Sequence, residues 1–171
     1  LIKNEYASDA WYGYNKKKKV SKLSMIVDTN GIPISVLLAK GSDHDGTLFF
    51  DNIEDMLIHI DRDRNKKNNK HIRYMMGDKI YDTNKIRDTI KNKNIIPIIG
   101  YNKRCTKDEM KLKNKQLNKH HKKIYKKRIK VENTFSWIFK NRRTACRWDK
   151  KHDTYMGFLY IALAKIITKK I

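Results

Sequence analysis

"IRYMMGDKIYDTNKIRDTIKNKNIIPIIGY", Ile72 to Tyr101, decides the fold class. It opens with a short apolar run, Ile72 to Asp78, that ends on Gly77-Asp78. "TNKIRDTIKNKN" follows, with apolar residues at helical spacing behind Thr83, a good N-cap. "IIPIIGY", Ile95 to Tyr101, is continuously apolar, as buried parallel strands are. Strand, amphipathic helix and buried strand in succession read as a βαβ unit.

Upstream lies a hairpin. Val20, Lys22, Ser24 and Ile26 alternate with Ser21, Leu23, Met25 and Val27, so Val20 to Asp28 is expected to be a strand. Asn30-Gly31 is a strong turn signal, and Ile32 to Gly41 is the return strand. Asp45 or Thr47 is then expected to cap a helix from about Leu48 to Ile60, with Leu48, Phe49, Ile53, Met56, Leu57 and Ile60 on its apolar face. The opening "NEYASDAWYGYNKKKK", Asn4 to Lys19, reads as an irregular loop. "DRDRNKKNNK", from Asp61, reads as a solvated loop. Downstream, a basic loop and helix run through Asn141, and Asp153 or Thr154 is expected to cap a final helix. A hairpin followed by βαβ units predicts an α/β protein, a mixed sheet with helices on its faces. Pattern alone does not give the strand order.

The formal charge is +22 for 171 residues, and it is unevenly spread. Lys103 to Lys130 holds thirteen lysines and arginines against Asp108 and Glu109, whereas Asp43 to Asp63 is acidic. Segregated basic charge points to a polyanion-binding face, with nucleic acid the first partner to consider. Cys105 and Cys146 are isolated and belong to no metal-binding spacing, so free thiols are expected. The most apolar stretch, Tyr155 to Ile167, is 13 residues long, which suits a core helix rather than a membrane span.

Two carboxylates stand out. Asp78 ends an apolar strand, the place where ligand sites of open α/β sheets gather, although a plain turn would also use it. Glu132 is the single acid in "RIKVENTFSWIFKNRR", Arg128 to Arg143. On a continuous helix turning ~100° per residue, Tyr125, Arg128, Glu132, Ser136 and Phe139 share one side. Ile124, Val131, Phe135 and Ile138 form the adjacent stripe, so Glu132 is expected at the edge of the core-facing side. A surface ion pair with Arg128 would not explain a lone acid among so many cations. A metal ligand would, because the cations bring in phosphate and the carboxylate holds the divalent ion that the phosphate shares. Phosphodiester chemistry commonly uses two such ions ~3.5–4 Å apart, held by acids from separate elements. Asp28 begins the hairpin turn, Asp9 lies in the irregular loop and Asp45 opens a helix. The residues therefore offer two good acids and leave the third open.

These residues carry a resemblance. Tyr125, Arg128 and Glu132 match the Tyr-x2-Arg-x3-Glu-x6-Lys signature of DDE transposases of the bacterial insertion-sequence type, with Phe139 in the lysine slot and Lys140 one residue later. "VENTFSWIFKNRR", "GDKIYD", "GIPISVLLAKGSDHD" and "YMGFLYIALAKII" each resemble family segments, so the likeness covers nearly the whole chain. It implies a single RNase H-like catalytic domain over residues 1–171, a mixed sheet flanked by helices, with the first strand missing or incomplete. It implies metal-dependent cleavage and transfer of DNA strands, with Asp78 and Glu132 as catalytic metal ligands and Mg²⁺ or Mn²⁺ as cofactor. The implied DNA contacts are Lys79, Tyr125, Lys126, Lys127, Arg128, Lys140, Arg142 and Arg143, and the basic loop Asn102 to Lys123 would hold the backbone. Transposon ends and target DNA are the implied partners, a homodimer is compatible with the likeness, and neither membrane nor small-molecule substrate is expected. The implied location is cytoplasmic or nucleoid-associated, or nuclear in a eukaryotic host. The family's first catalytic aspartate falls just ahead of the segment that "LIKNEYASD" resembles, so the chain is expected to be an N-terminally truncated fragment.

Two other readings compete. One is a catalytically dead or repurposed DNA-binding protein descended from a transposase, favoured by Phe139. The other is an RNA-binding protein in which Tyr6, Trp11, Tyr12 and Tyr14 stack on bases, although aromatic loops commonly pack locally.

Overall fold

The computed structural model describes residues 2–4, 11–12, 19–63, 74–102 and 117–170. They divide into two compact units, Leu1–Ile60 with Lys130–Ile171, and Asp61–Ile129.

The first unit is built on the expected hairpin, β3 (Lys19–Val27) and β4 (Pro33–Lys40). Two short strands precede it, β1 (Ile2–Asn4) and β2 (Trp11–Tyr12). Ser21 pairs with both Ile2 and Lys40, and Val20 with both Lys3 and Trp11. A residue has only two pairing sides, so β1 lies on one side of β3, and β4 and β2 follow one another along the other. Asn4, Trp11 and Tyr12 were expected in a loop; the correction comes from long-range pairing, which two- or three-residue strands do not announce in sequence. The remaining residues of that stretch, with Tyr6 and Tyr14, lie outside the described ones.

The turn at Asn30-Gly31 is tightly specified. One carboxylate oxygen of Asp28 accepts from the backbone of Asn30 at 2.8 Å and Ile32 at 2.7 Å. Gly31 has a φ of +80°, open to glycine and costly for other residues. A Cβ there would also lie 2.9 Å from Thr134 Oγ1.

Helix α1 (Asp45–Asp63) buries Leu48, Phe49, Ile53 and Met56; the side chains of Leu57 and Ile60 lie outside the description. It begins earlier than expected. The His44 carbonyl accepts from Thr47 N and Leu48 N, and His44 Nδ1 accepts from Gly46 N, so His44 rather than Asp45 or Thr47 satisfies the first turn. Buried Asn52 joins α1 to the hairpin: Oδ1 accepts from Ser35 Oγ at 2.9 Å, and Nδ2 donates to Ser24 Oγ at 2.6 Å.

The rest of this unit is formed by α4 (Ile129–Phe139), α5 (Arg142–Ala145), β7 (Cys146–Arg147) and α6 (His152–Thr168). Strand β7 runs parallel to β1 and completes a five-stranded mixed sheet. Ile2, Leu23, Ile138, Tyr155, Met156, Leu159, Leu163 and Ile166 form the core, so Tyr155 to Ile167 is the core helix its composition announced. Helix α6 starts at His152 with Lys151 at the N-cap and no side-chain capping bond; Asp153 sits inside the first turn, where its charge suits the helix dipole, and neither it nor Thr154 is the cap.

The second unit contains the expected βαβ: β5 (Tyr74–Gly77), α2 (Asn84–Asn92) and β6 (Ile96–Ile99), with β5 and β6 parallel. Thr83 caps α2, its hydroxyl accepting from Ile86 N at 3.2 Å. Ile86, Ile90, Ile95, Ile98 and Ile99 are buried. Helix α3 (Lys119–Tyr125) also packs on β6. Among the described residues, the hairpin strands and the βαβ strands belong to separate ladders, and the architecture is mixed α/β. Cys146 is a free thiol, and Cys105 lies outside the described residues.

Gly31→Ala combines left-handed strain with a clash against Thr134. It is expected to destabilise the fold by about 1–3 kcal/mol, read from the urea midpoint.

Candidate functional site

In the second unit, Asp78 directly follows β5, at the carboxyl end of the parallel pair. It is the N-cap of a 3-10 turn, Lys79–Tyr81, and its Oδ1 accepts from Lys79 N at 2.8 Å. The turn reading of "GDKIYD" is thus realised, and the carboxylate still remains largely exposed, with 55% of its side chain accessible.

Tyr125 and Arg128, far away in sequence, meet Asp78 here. Arg128 Nη1 lies 4.0 Å from Asp78 Oδ1, a long, partly solvated pair. The same guanidinium sits 5.5 Å from the Tyr125 ring centroid. Burial pushes the Tyr125 phenol above its ordinary value; Arg128 pulls it down, and Asp78 pushes it up. Gly100 permits this convergence: a Cβ there would lie 2.9 Å from the Tyr125 hydroxyl and 3.0 Å from Lys79 Cγ.

A buried network holds the strand ends beneath. Asp82 is 2% exposed. Its Oδ1 accepts from Arg87 Nε at 2.7 Å, and its Oδ2 from Asn102 N at 2.8 Å. Arg87 Nη2 donates to the Ile99 carbonyl at 3.1 Å. Sequence reasoning missed Asp82, Arg87 and Gly100. The i,i+5 spacing of Asp82 and Arg87 across a helix start was the only hint, and nothing local marks Gly100.

Lys126, Lys127 and Arg128 form a 3-10 turn between α3 and α4, all exposed. This corrects the assumption of one continuous helix. Glu132 in the first unit lies on the exposed side of α4: at ~100° per residue it stands ~160° around the helix from Thr134 and ~120° from Ile138, the two residues that are buried. Lys140, Arg142 and Arg143 are exposed in the same unit. Phe139 stacks on Phe135 with centroids 5.9 Å apart and packs against the core. Of the basic loop, 103–116 lies outside the described residues; Asn118, Lys119, His120, Lys122 and Lys123 are exposed. Asp28 is engaged in its turn, Asp45 Oδ1 pairs with Lys22 Nζ at 3.1 Å, and Asp9 is outside the description. Among the described residues no group of three or more acids, histidines or cysteines is arranged to hold a metal ion, and no helix is long and apolar enough to cross a membrane.

The family model described as the transposase DDE domain matches residues 2–166. The chain belongs to that family, so DNA is its implied partner and transposition its family activity. No curated protein and no solved structure matches it.

Two outcomes follow from the Asp78 cluster. Asp78→Asn removes the charge that raises the Tyr125 phenol and is expected to lower its titration point, whereas Arg128→Gln is expected to raise it; phenolate absorbance on alkaline titration reads both. On the DNA contacts that the resemblance implies for these lysines, Lys126→Gln and Lys127→Gln are each expected to flatten the slope of log affinity for DNA against log salt by about 1 unit.

Proposed function

We propose that the chain is the DNA-cleaving domain of a transposase, with Asp78 and Glu132 as catalytic carboxylates that hold Mg²⁺ or Mn²⁺. The convergence of Tyr125 and Arg128 on Asp78 carries this reading. These residues belong to different family motifs, and a surface turn alone would not require them to meet. One family model spans both compact units, which supports reading them as parts of one RNase H-like domain.

The donor set fits a hard divalent cation. Carboxylate oxygens are the preferred ligands of Mg²⁺ and Mn²⁺, and both acids are exposed. When bound, the metal supplies activation of the attacking oxygen and stabilisation of the leaving one. The chain's own residues do the rest. The Lys79 amide fixes one oxygen of Asp78 and so sets the carboxylate's direction. Arg128, 4.0 Å away, is near enough to bias that direction, and its exposed guanidinium side chain suits a phosphate. Lys79, Lys126, Lys127, Lys140, Arg142 and Arg143 are exposed cations suited to backbone phosphates.

A second reading, a DNA-binding descendant without chemistry, is favoured by Phe139. The position matching the signature lysine holds a ring packed against the core, and Lys140 is the exposed cation beside it.

One experiment separates the readings: nicking of supercoiled DNA with Mg²⁺, Mn²⁺ or chelator, beside binding under the same conditions. The transposase reading expects metal-dependent nicking that Asp78→Asn and Glu132→Gln each reduce by about 10²-fold or more while binding persists. Nicking that survives both substitutions overturns the site assignment. Tight, chelator-insensitive binding without nicking selects the second reading.

A further inference from the structure

Arg142, Arg143 and Trp148 line an open cleft of about 450 Å³ in the first unit. We propose that this cleft binds single-stranded DNA, with Trp148 as a stacking platform for a base and the two arginines on the flanking phosphates. The inference rests on the reading of this chain as a DNA-processing protein and adds the form of DNA taken at this place.

Three observations carry it. Trp148 is 49% exposed although indole is among the largest apolar surfaces a side chain offers. Its surroundings are cationic: Lys140 to Lys151 contains six lysines and arginines and one acid, Asp149. The segment bearing these side chains is anchored from beneath. Thr144 is buried, and its hydroxyl donates to the Ile138 carbonyl and to the Asn141 carbonyl. Arg147 is 1% exposed; its Nη1 donates to Ser21 Oγ at 3.1 Å and its Nε to the Asp149 carbonyl at 3.2 Å. Tyr155 lies 5.5 Å beneath that guanidinium and donates from its hydroxyl to the Thr144 carbonyl at 2.8 Å.

Arg143 is held as well. Its guanidinium stands 4.4 Å from the Phe158 ring centroid, and its Nη1 is 3.8 Å from Asp149 Oδ1. The ordering cost of the cleft is thus largely met before a ligand arrives, which favours affinity. Bases within a duplex hide their faces in the stack, so an exposed indole lining a cleft with two arginines suits an unpaired strand. Stacking on an aromatic ring beside backbone-tracking cations is the general mode of single-strand binding.

The test uses the whole chain, an oligothymidylate and a duplex of equal length. Trp148→Ala is expected to weaken single-strand binding roughly tenfold and leave duplex binding within about twofold, while Trp148→Phe keeps most single-strand affinity. Equal weakening of both DNA forms, or of neither, overturns the proposal. Tryptophan emission gives a second readout that does not depend on the alanine variant folding. Oligothymidylate is expected to quench the unsubstituted chain, and the Trp148→Phe variant is expected to lose that quenching. Quenching that is unchanged in Trp148→Phe also overturns the proposal. Trp148-dependent single-strand binding without any metal-dependent nicking sinks the catalytic reading and leaves this one standing. Nicking with no effect of Trp148 does the reverse.

Discussion

The second unit depends on one buried ion pair. Asp82 and Arg87 meet at 2.7 Å, with the Asp82 side chain wholly inaccessible and the Arg87 side chain 12% exposed. Taking one partner away would leave an uncompensated charge inside, typically a loss of ~3–5 kcal/mol. The pair does more than neutralise itself. Asp82 also receives the Asn102 amide, and Arg87 reaches the Ile99 carbonyl, so the chain on both sides of Gly100 is tied to the start of α2. Asp82 is the C-cap of the short turn that Asp78 begins. The acid that closes this turn is buried and structural; the acid that opens it is exposed.

That division sets what Asp78 can do. Its carboxylate is fixed by one backbone amide and faced by Arg128 at a distance too long for a tight pair. A short bidentate pair would have satisfied both charges internally. A solvated, loosely opposed carboxylate beside a cation retains its capacity to meet a metal and a phosphate. Gly100 permits the approach of the Tyr125 hydroxyl and the Lys79 stem, and neither a glycine one residue beyond a strand nor a tyrosine in a lysine run signals this alone.

In the first unit the comparable constraint is the docking of α4 on the hairpin turn. Thr134 donates to the Gly31 carbonyl at 2.8 Å, while Lys170 donates to the Asn30 carbonyl and covers the Trp137 ring at 4.0 Å. The same helix therefore turns Thr134 and Ile138 inward and Glu132 outward.

The sequence by itself determined the local elements with strong period and punctuation. The Asn30-Gly31 hairpin, the Thr83-capped helix, the apolar strands around it and the core helix over Tyr155 to Ile167 all follow from side-chain alternation, caps and glycine. The motifs around Asp78 and Glu132 also determined the family. Tertiary structure alone decided the rest. Strands β1, β2 and β7 exist through partners distant in the chain, and two-residue strands have no periodicity to read. The outward face of Glu132 depends on α4 burying a polar residue, Thr134, against the hairpin turn, which no residue pattern announces. The burial of Arg147 and Asp82, both polar by composition, required partners that folding alone brings near. Local signals report what a residue prefers; whether a charge is buried, exposed or opposed depends on which distant groups share its space.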